Sequence, residues 1–455
     1  MFTKAFMAAT TVAALAVPAT GALAAPDKDS VEAITGIPGP RTCFWSRGPV
    51  SADPYINIAY PDSNVFYWSA TFTVPEGAKL QLEGNFPHSR YMSFISYDGR
   101  GRPIESLADY LISPNPGATN PFRSGSDRDA IKRGYTVDIS DGDPVNGISD
   151  GIEQPGAQRQ VLHAPKYGPG QQQVLYRIYA NDTAHPVTGG EALPEPVLTL
   201  KNGKVLRGAE VCGALNASQF PMLDIGALGI PVAQYRKLVN QPGKPDTWPA
   251  QPKPEWHIQL DRQSLIGIYT GEIDPNAKRT QGGFYPNPDN NYIRTIVNLR
   301  FGPVIVMRGK APTTPRTQSG EAKMARAQLR YWSICSNQSF ANTRVNGCLD
   351  DEQIPVDKNG YYTVVISKAK DRPRNARPEC GIGWLPVADD GDGVSDSDVA
   401  VVQIRHMLAD PGFAQAIQRI PTDDQIDKVM GPYAPKMRYL MPSVVETLFP
   451  CLPSK

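Results

Sequence analysis

Closely spaced cysteines are missing from this 455-residue chain, histidine is scarce, and neither sign of charge prevails. Without a C-x-x-C pair there is no signature of thiol exchange or of a zinc ribbon. The five histidines, His88, His163, His185, His257 and His406, never fall at H-x-H or H-x-x-x-H spacing, so a zinc or non-haem iron site has no sequence support. Lys and Arg number 46 against 45 Asp and Glu, a balance that gives nucleic acid or an anionic membrane no electrostatic reason to bind. No G-x-S-x-G stands anywhere, so the hydrolase nucleophile elbow is absent. No apolar run approaches the ~20 residues that span a bilayer.

The longest apolar run lies at the start. Lys4, the Ala-rich stretch Phe6–Val17 and Ala22-Leu23-Ala24 read as a signal peptide over residues 1–24 with an A-x-A cleavage site. The expectation is an exported protein, periplasmic or extracellular, with no transmembrane segment in the mature chain. All six cysteines follow that site: Cys43, Cys212, Cys335, Cys348, Cys380 and Cys451. An even count in an exported chain predicts disulfides. Of the 15 pairings that six cysteines allow, Cys43–Cys212, Cys335–Cys348 and Cys380–Cys451 keeps each bridge within one half of the chain.

What is abundant is Pro and Gly, 44 and 40 residues, which suits turns between short strands. Lys79–Gly84 alternates apolar and polar as a half-buried strand does, and Tyr67–Val74, Arg90–Tyr97, Gly134–Ile139, Val174–Tyr179 and Val197–Leu200 read as further strands. Val232–Val239 reads as a short helix, and the proline run across 241–254 as a semi-rigid strap. The tail predicts two helices, Ala414–Ile420 and Asp423–Met430, the second opened by a capping box of Thr422 and Gln425.

One motif occurs twice. Gly84-Asn85-Phe86-Pro87 leads after two residues into Arg90-Tyr91-Met92-Ser93-Phe94. Gly309-Lys310-Ala311-Pro312 leads after 17 residues into Arg330-Tyr331-Trp332-Ser333-Ile334. Asp62/Asp289, Tyr135/Tyr362 and Arg177/Arg405 match in the same order, so the chain predicts an internal duplication. The fold class expected is mainly β: two tandem antiparallel β-sandwich domains, jelly-roll-like, with a few short helices. Their expected bounds are 25–213 and 255–455, with the helix and strap at 214–254 between.

The duplicated arginines sit among apolar residues, where an unpaired guanidinium is very costly. The plainer reading is a buried Arg–Asp pair inside each domain, with Asp109 serving the first and Asp350 or Asp351 the second. The functional reading makes His88, Arg90, Tyr91, Arg177, Arg330, Trp332 and Arg405 a cleft for an anionic or carboxylate-bearing ligand. His88 alone has no counterpart in the second motif. Asp389, Asp390, Asp392, Asp396 and Asp398 lie on a Gly-bearing loop that resembles one thrombospondin type 3 calcium repeat, with Ala388 in place of the first Asp. Calcium is thus the one ion considered, and no cofactor is evident. A solvated acidic loop is the plainer alternative.

Tyr176–Pro194, Gly282–Ile293 and Arg308–Thr317 resemble stretches of exported bacterial proteins without assigned function. The segment from Gly383 to Phe413 resembles the end of a bacterial domain-of-unknown-function family with a jelly-roll-like fold. The resemblance implies a β fold and brings no catalytic residue. The expected function is binding of a small organic, lipid-like or carbohydrate ligand between the domains or in a sandwich mouth. A secreted hydrolase with a carboxylate and tyrosine site, or a cell-envelope component, are the alternatives. Oligomeric state is open.

Overall fold

The computed structural model describes residues 36–145, 147–217, 229–272, 277 and 285–451. The predicted signal peptide and residues 25–35 lie outside them.

Four sheets form two face-packed pairs. In the first pair, one sheet runs in the order β1 (Arg47–Val50), β2 (Val65–Phe72), β8 (Gln172–Asn181), β4 (Ser89–Tyr97), β5 (Pro103–Ala108). Its partner runs β10 (Val205–Leu206), β9 (Glu195–Thr199), β3 (Lys79–Asn85), β6 (Gly134–Ser140), β7 (Val161–His163). In the second pair the orders are β11 (His257–Gln259), β12 (Asn290–Asn298), β18 (Val399–Ala409), β14 (Leu329–Asn337), β15 (Val345–Asp350), and β17 (Gly383–Pro386), β16 (Tyr361–Ser367), β13 (Val304–Lys310), β19 (Lys436–Leu440). Neighbouring strands are antiparallel except β6–β7 and β16–β17. The succession β2-β8-β4-β5 in the first pair is repeated by β12-β18-β14-β15 in the second, and β9-β3-β6-β7 by β19-β13-β16-β17.

Each pair encloses its own apolar core, as a sandwich does. Leu80 and Leu82 of β3, the alternate positions seen in the sequence, meet Trp68, Phe72, Phe94 and Tyr176 of the opposite sheet. In the second core Ile305 and Met307 of β13 meet Ile293, Ile334 and Ile404. The three disulfides are Cys43–Cys212, Cys335–Cys348 and Cys380–Cys451, the pairing that keeps each bridge within one half.

Part of the recurring motif has a packing cause. Gly84 faces Tyr135 across β3–β6, and a Cβ built on it would lie 2.7 Å from the Tyr135 hydroxyl. Gly309 faces Tyr362 across β13–β16, with the corresponding distance 2.8 Å. The hydroxyl end of each tyrosine occupies the space a side chain would need, so glycine is the residue that fits there.

The helix at Val232–Val239 forms as the sequence predicts, burying Tyr235. The tail departs from expectation. Ala414–Ile420 holds only a 3-10 turn at Ile417–Arg419, and the helix after Thr422 is reduced to Ile426–Met430 behind a second such turn. The capping box does not form: the Thr422 side chain caps no backbone amide, and its hydroxyl donates to the Asp424 carboxylate at 2.6 Å. Among the elements that escaped the periodicity are the helix Arg262–Thr270, edge strand β19, paired to β13, and the helix Pro442–Leu448, whose buried Val445 packs with Val306 and Val365 on the outer face of that sheet. Five residues are too few for alternation to stand out, and edge pairing is decided by a distant strand.

Gly84→Ala and Gly309→Ala are each expected to cost about 1–3 kcal/mol through overpacking. Gly213→Ala, where nothing lies within 4 Å of the added methyl, should cost nothing. Urea denaturation of the three variants checks this, and equal stabilities would contradict the packing cause.

Candidate functional site

The two sandwiches meet through their five-stranded sheets. Successive side chains of a strand point to opposite faces, so in β8 Tyr176 and Ile178 enter the first core while Leu175, Arg177 and Tyr179 face the second sandwich. Strands β4, β14 and β18 are buried at every position, and β8 at all but its last. A sheet covered on both faces loses the polar-out alternation of a half-exposed one. Arginines in such strands must therefore find partners inside the protein.

They find them across the interface. Arg90 of β4 forms ion pairs with Asp351 and Glu352 of the second half. Arg330 of β14 pairs with Asp109 at 3.1 Å and Glu153 at 2.6 Å in the first half. The expectation of an Arg–Asp pair within each domain is corrected here: the pairs are exchanged. Each aspartate also anchors its own half, Asp109 accepting from the Met92 amide at 2.8 Å and Asp351 from the Trp332 amide at 3.1 Å. The tyrosines beside the arginines follow the same rule. Tyr91 donates to Asp289 at 2.6 Å, and Tyr331 to Asp62 at 2.9 Å. Burial pushes the carboxyls of Asp109 and Asp351 up to about 7, against the opposing pull of their arginines.

Beside this clamp lies a cavity of about 200 Å³. Strands β2, β8, β12 and β18 supply Tyr67, Arg177, Tyr179, Tyr292, Arg294 and Arg405 to its wall, and the segment from Ile37 to Tyr60 closes one side with Ile37, Val50, Ile56 and Ile58. Arg177 stands opposite Tyr67 and Ser93 in its sheet, and Arg405 opposite Tyr292 and Ser333 in the other. Their surroundings differ. Arg405 forms an ion pair with Asp62 and lies 5.2 Å from the Tyr292 ring. Arg177 donates to the Tyr285 carbonyl at 2.6 Å and lies over the rings of Tyr67 and Tyr97 at 5.1 and 5.4 Å.

Of the seven sequence-predicted ligand residues, only Arg177 and Arg405 line this cavity. Arg90, Tyr91 and Arg330 belong to the clamp. Trp332 packs on Tyr362 in the second core, with ring centroids 5.3 Å apart. His88 lies elsewhere, stacked on His185 at 4.4 Å, with its Nε2 2.5 Å from Arg133. Burial, then Arg133 and His185, push its pKa down to about 4. Arg294 was not singled out, because β12 carries its one arginine without a matched partner in the first motif. Its alternation with Tyr292, two residues earlier on the same face, was the available signal.

The acidic loop is built around protein donors. Asp392 is buried and accepts from the Val394, Ser395 and Asp396 amides and from the Tyr235 hydroxyl. Asp390 accepts from Gln338, Asp396 pairs with Arg300, Asp398 with Lys368, and Asp389 is exposed. No three of these carboxylates converge. Among the described residues the sole close cluster of metal-ligand types is Asp62 with Cys335 and Cys348, whose sulfurs are already bonded to each other.

No protein-family model matches the chain, and no curated protein does. Two solved bacterial structures of uncharacterized proteins are similar to it. One, from Burkholderia cenocepacia, has 13% identity and a TM-score of 0.42 over 85% of this chain and 79% of that one. The other, from Vibrio parahaemolyticus, has 13% identity and a TM-score of 0.39 over 84% and 90%. At these values the likeness carries no functional inference.

Removing one member of a buried ion pair strands the other charge. Arg90→Ala and Arg330→Ala should therefore each cost about 3–5 kcal/mol, whereas Arg207→Ala, at an exposed pair with Glu83, should leave the melting temperature unmoved. Calorimetry of the three variants decides it. A second test concerns His406, buried in β18, whose Nδ1 accepts from the Ile417 amide and whose pKa burial lowers to about 3. Below an unfolded value of about 6.5 the unfolded chain binds the extra proton, so this residue's contribution holds above pH 6.5 and declines as pH falls. By pH 4 the loss is on the order of 3 kcal/mol, and His406→Asn should flatten the stability–pH profile over that range.

Proposed function

We propose that the protein is an exported, disulfide-bonded binding protein that holds a small organic ligand between its two sandwiches. The observation that carries the proposal is the cavity of about 200 Å³ between the two five-stranded sheets, walled by tyrosines and aliphatic side chains around a few polar groups. That is the usual make-up of a small-molecule site. Binding is favoured over catalysis because the wall includes no Asp, Glu or His to serve as general acid or base. The Tyr67 hydroxyl that lines it has its pKa raised well above the usual range by burial, away from a role as base. A purely structural envelope role gives no reason to keep buried arginines around an open space. Export is supported by the three disulfides.

The tandem sandwiches are read as an internal duplication, with halves near 25–213 and 255–455. Support comes from the repeated strand order, from the matching registers of Arg177 and Arg405, and from the same glycine–tyrosine contact in both halves. The passage of the chain from sheet to sheet at β2–β3, β3–β4 and β8–β9 supports a jelly-roll-like description.

Native mass spectrometry of protein purified from its producing cells tests the ligand. A copurified small molecule is expected on the native protein and not on Ser69→Phe, which puts a ring into the cavity wall. An adduct retained by a folded Ser69→Phe, or no adduct on either protein, would sink the cavity reading.

A further inference from the structure

We infer that the ligand is a compact carboxylate with an apolar body, its anionic group held between Arg177 of the first sandwich and Arg294 of the second. The inference rests on the cavity reading above.

The cavity wall carries five arginines and no acidic residue. Arg405 is neutralised by Asp62. Arg177 and Arg294 are 2% and 4% exposed, and neither has a carboxylate partner among the described residues. Arg177 meets the Tyr285 carbonyl and the Tyr97 hydroxyl, and its Nη1 has no partner of good hydrogen-bond geometry. Arg294 lies 4.3 Å from the Tyr60 ring and shares a hydrogen bond with the Tyr60 hydroxyl, while its Nε has no partner. Cation–π contact and neutral hydroxyl or carbonyl partners offset part of the desolvation of a guanidinium without neutralising its charge. Two buried cations facing one space from two sheets are an expensive arrangement for an empty protein. A carboxylate, whose two oxygens match the guanidinium fork, relieves it.

The rest of the wall sets the ligand's body. Ile37, Val50, Ile56, Ile58 and Leu175 are apolar, and Tyr67 and Tyr292 offer ring faces. A space of about 200 Å³ is roomy enough for a compact organic ligand. Aryl-acetic and short alkanoic acids share this chemistry. Because the anion would touch both sandwiches, binding should also raise the stability of the whole chain.

The test is calorimetric titration of dialysed full-length protein with phenylacetate, hexanoate, and their neutral isosteres phenylacetamide and hexanamide. At least one carboxylate is expected to bind at least tenfold more tightly than its amide, and to raise the melting temperature. The preferred carboxylate distinguishes an aromatic from an alkyl source. Arg177→Met and Arg294→Met should each weaken the carboxylate at least tenfold and leave the amide unchanged, while Arg177→Lys, which keeps the charge, should fall between. Amides binding as tightly as carboxylates would overturn the anion while leaving the cavity reading intact. Failure of all four probes overturns the stated ligand class, and the copurified mass then judges the cavity by itself. The comparison of isosteres needs no variant, so it stands even if a substitution prevents folding.

Discussion

Burial of two strand arginines, Arg90 and Arg330, is the constraint from which the arrangement of the two sandwiches follows. Each lies in a strand covered on both faces, where a bare guanidinium would be very costly. Each is answered by a carboxylate pair from the opposite half. Because Asp109 and Asp351 also bind the backbone of their own sheets, every contact in the exchange ties one sheet to the other. Either half alone would leave two carboxylates and a guanidinium unanswered. The sandwiches are thus held as one body by polar groups that neither could afford to bury separately.

The same docking creates the cavity. Tyrosines and arginines at alternate positions of β2, β8, β12 and β18 point away from the two cores and toward each other. Where Arg90, Tyr91, Arg330 and Tyr331 lie, the gap is filled by paired groups. Where Arg177, Arg294 and Arg405 lie, it is left open. The equivalence of Arg177 and Arg405 in register is accompanied by a difference in partner. One has Asp62 and the other has a backbone carbonyl. That asymmetry leaves net positive charge facing the space.

Much of the fold was legible along the chain. Alternation in Lys79–Gly84 located β3, the repeated Gly, Tyr and Arg located matching strands, and the even cysteine count with its spacing located three bridges. The candidate site was legible only in part. Arg177 and Arg405 stood out as charges in apolar runs. Arg294 and the wall formed by Ile37 to Ile58 did not, since alternation marks the face a residue lies on and not the space that distant strands make there. The acidic loop shows the converse. Its spacing resembles a cation loop, while four of its five carboxylates meet Tyr235, Gln338, Arg300, Lys368 and the loop's own amides.

The sequence by itself determined where the strongly patterned strands lie, which residues must not be left alone in an apolar interior, and which cysteines can close bridges without leaving their half. These depend on local periodicity, on the cost of desolvating charge, and on chain order. Only the tertiary structure decided which carboxylate answers which arginine. A buried charge requires a partner of opposite sign but does not specify its place in the chain, and here every such partner of Arg90 and Arg330 came from the other half.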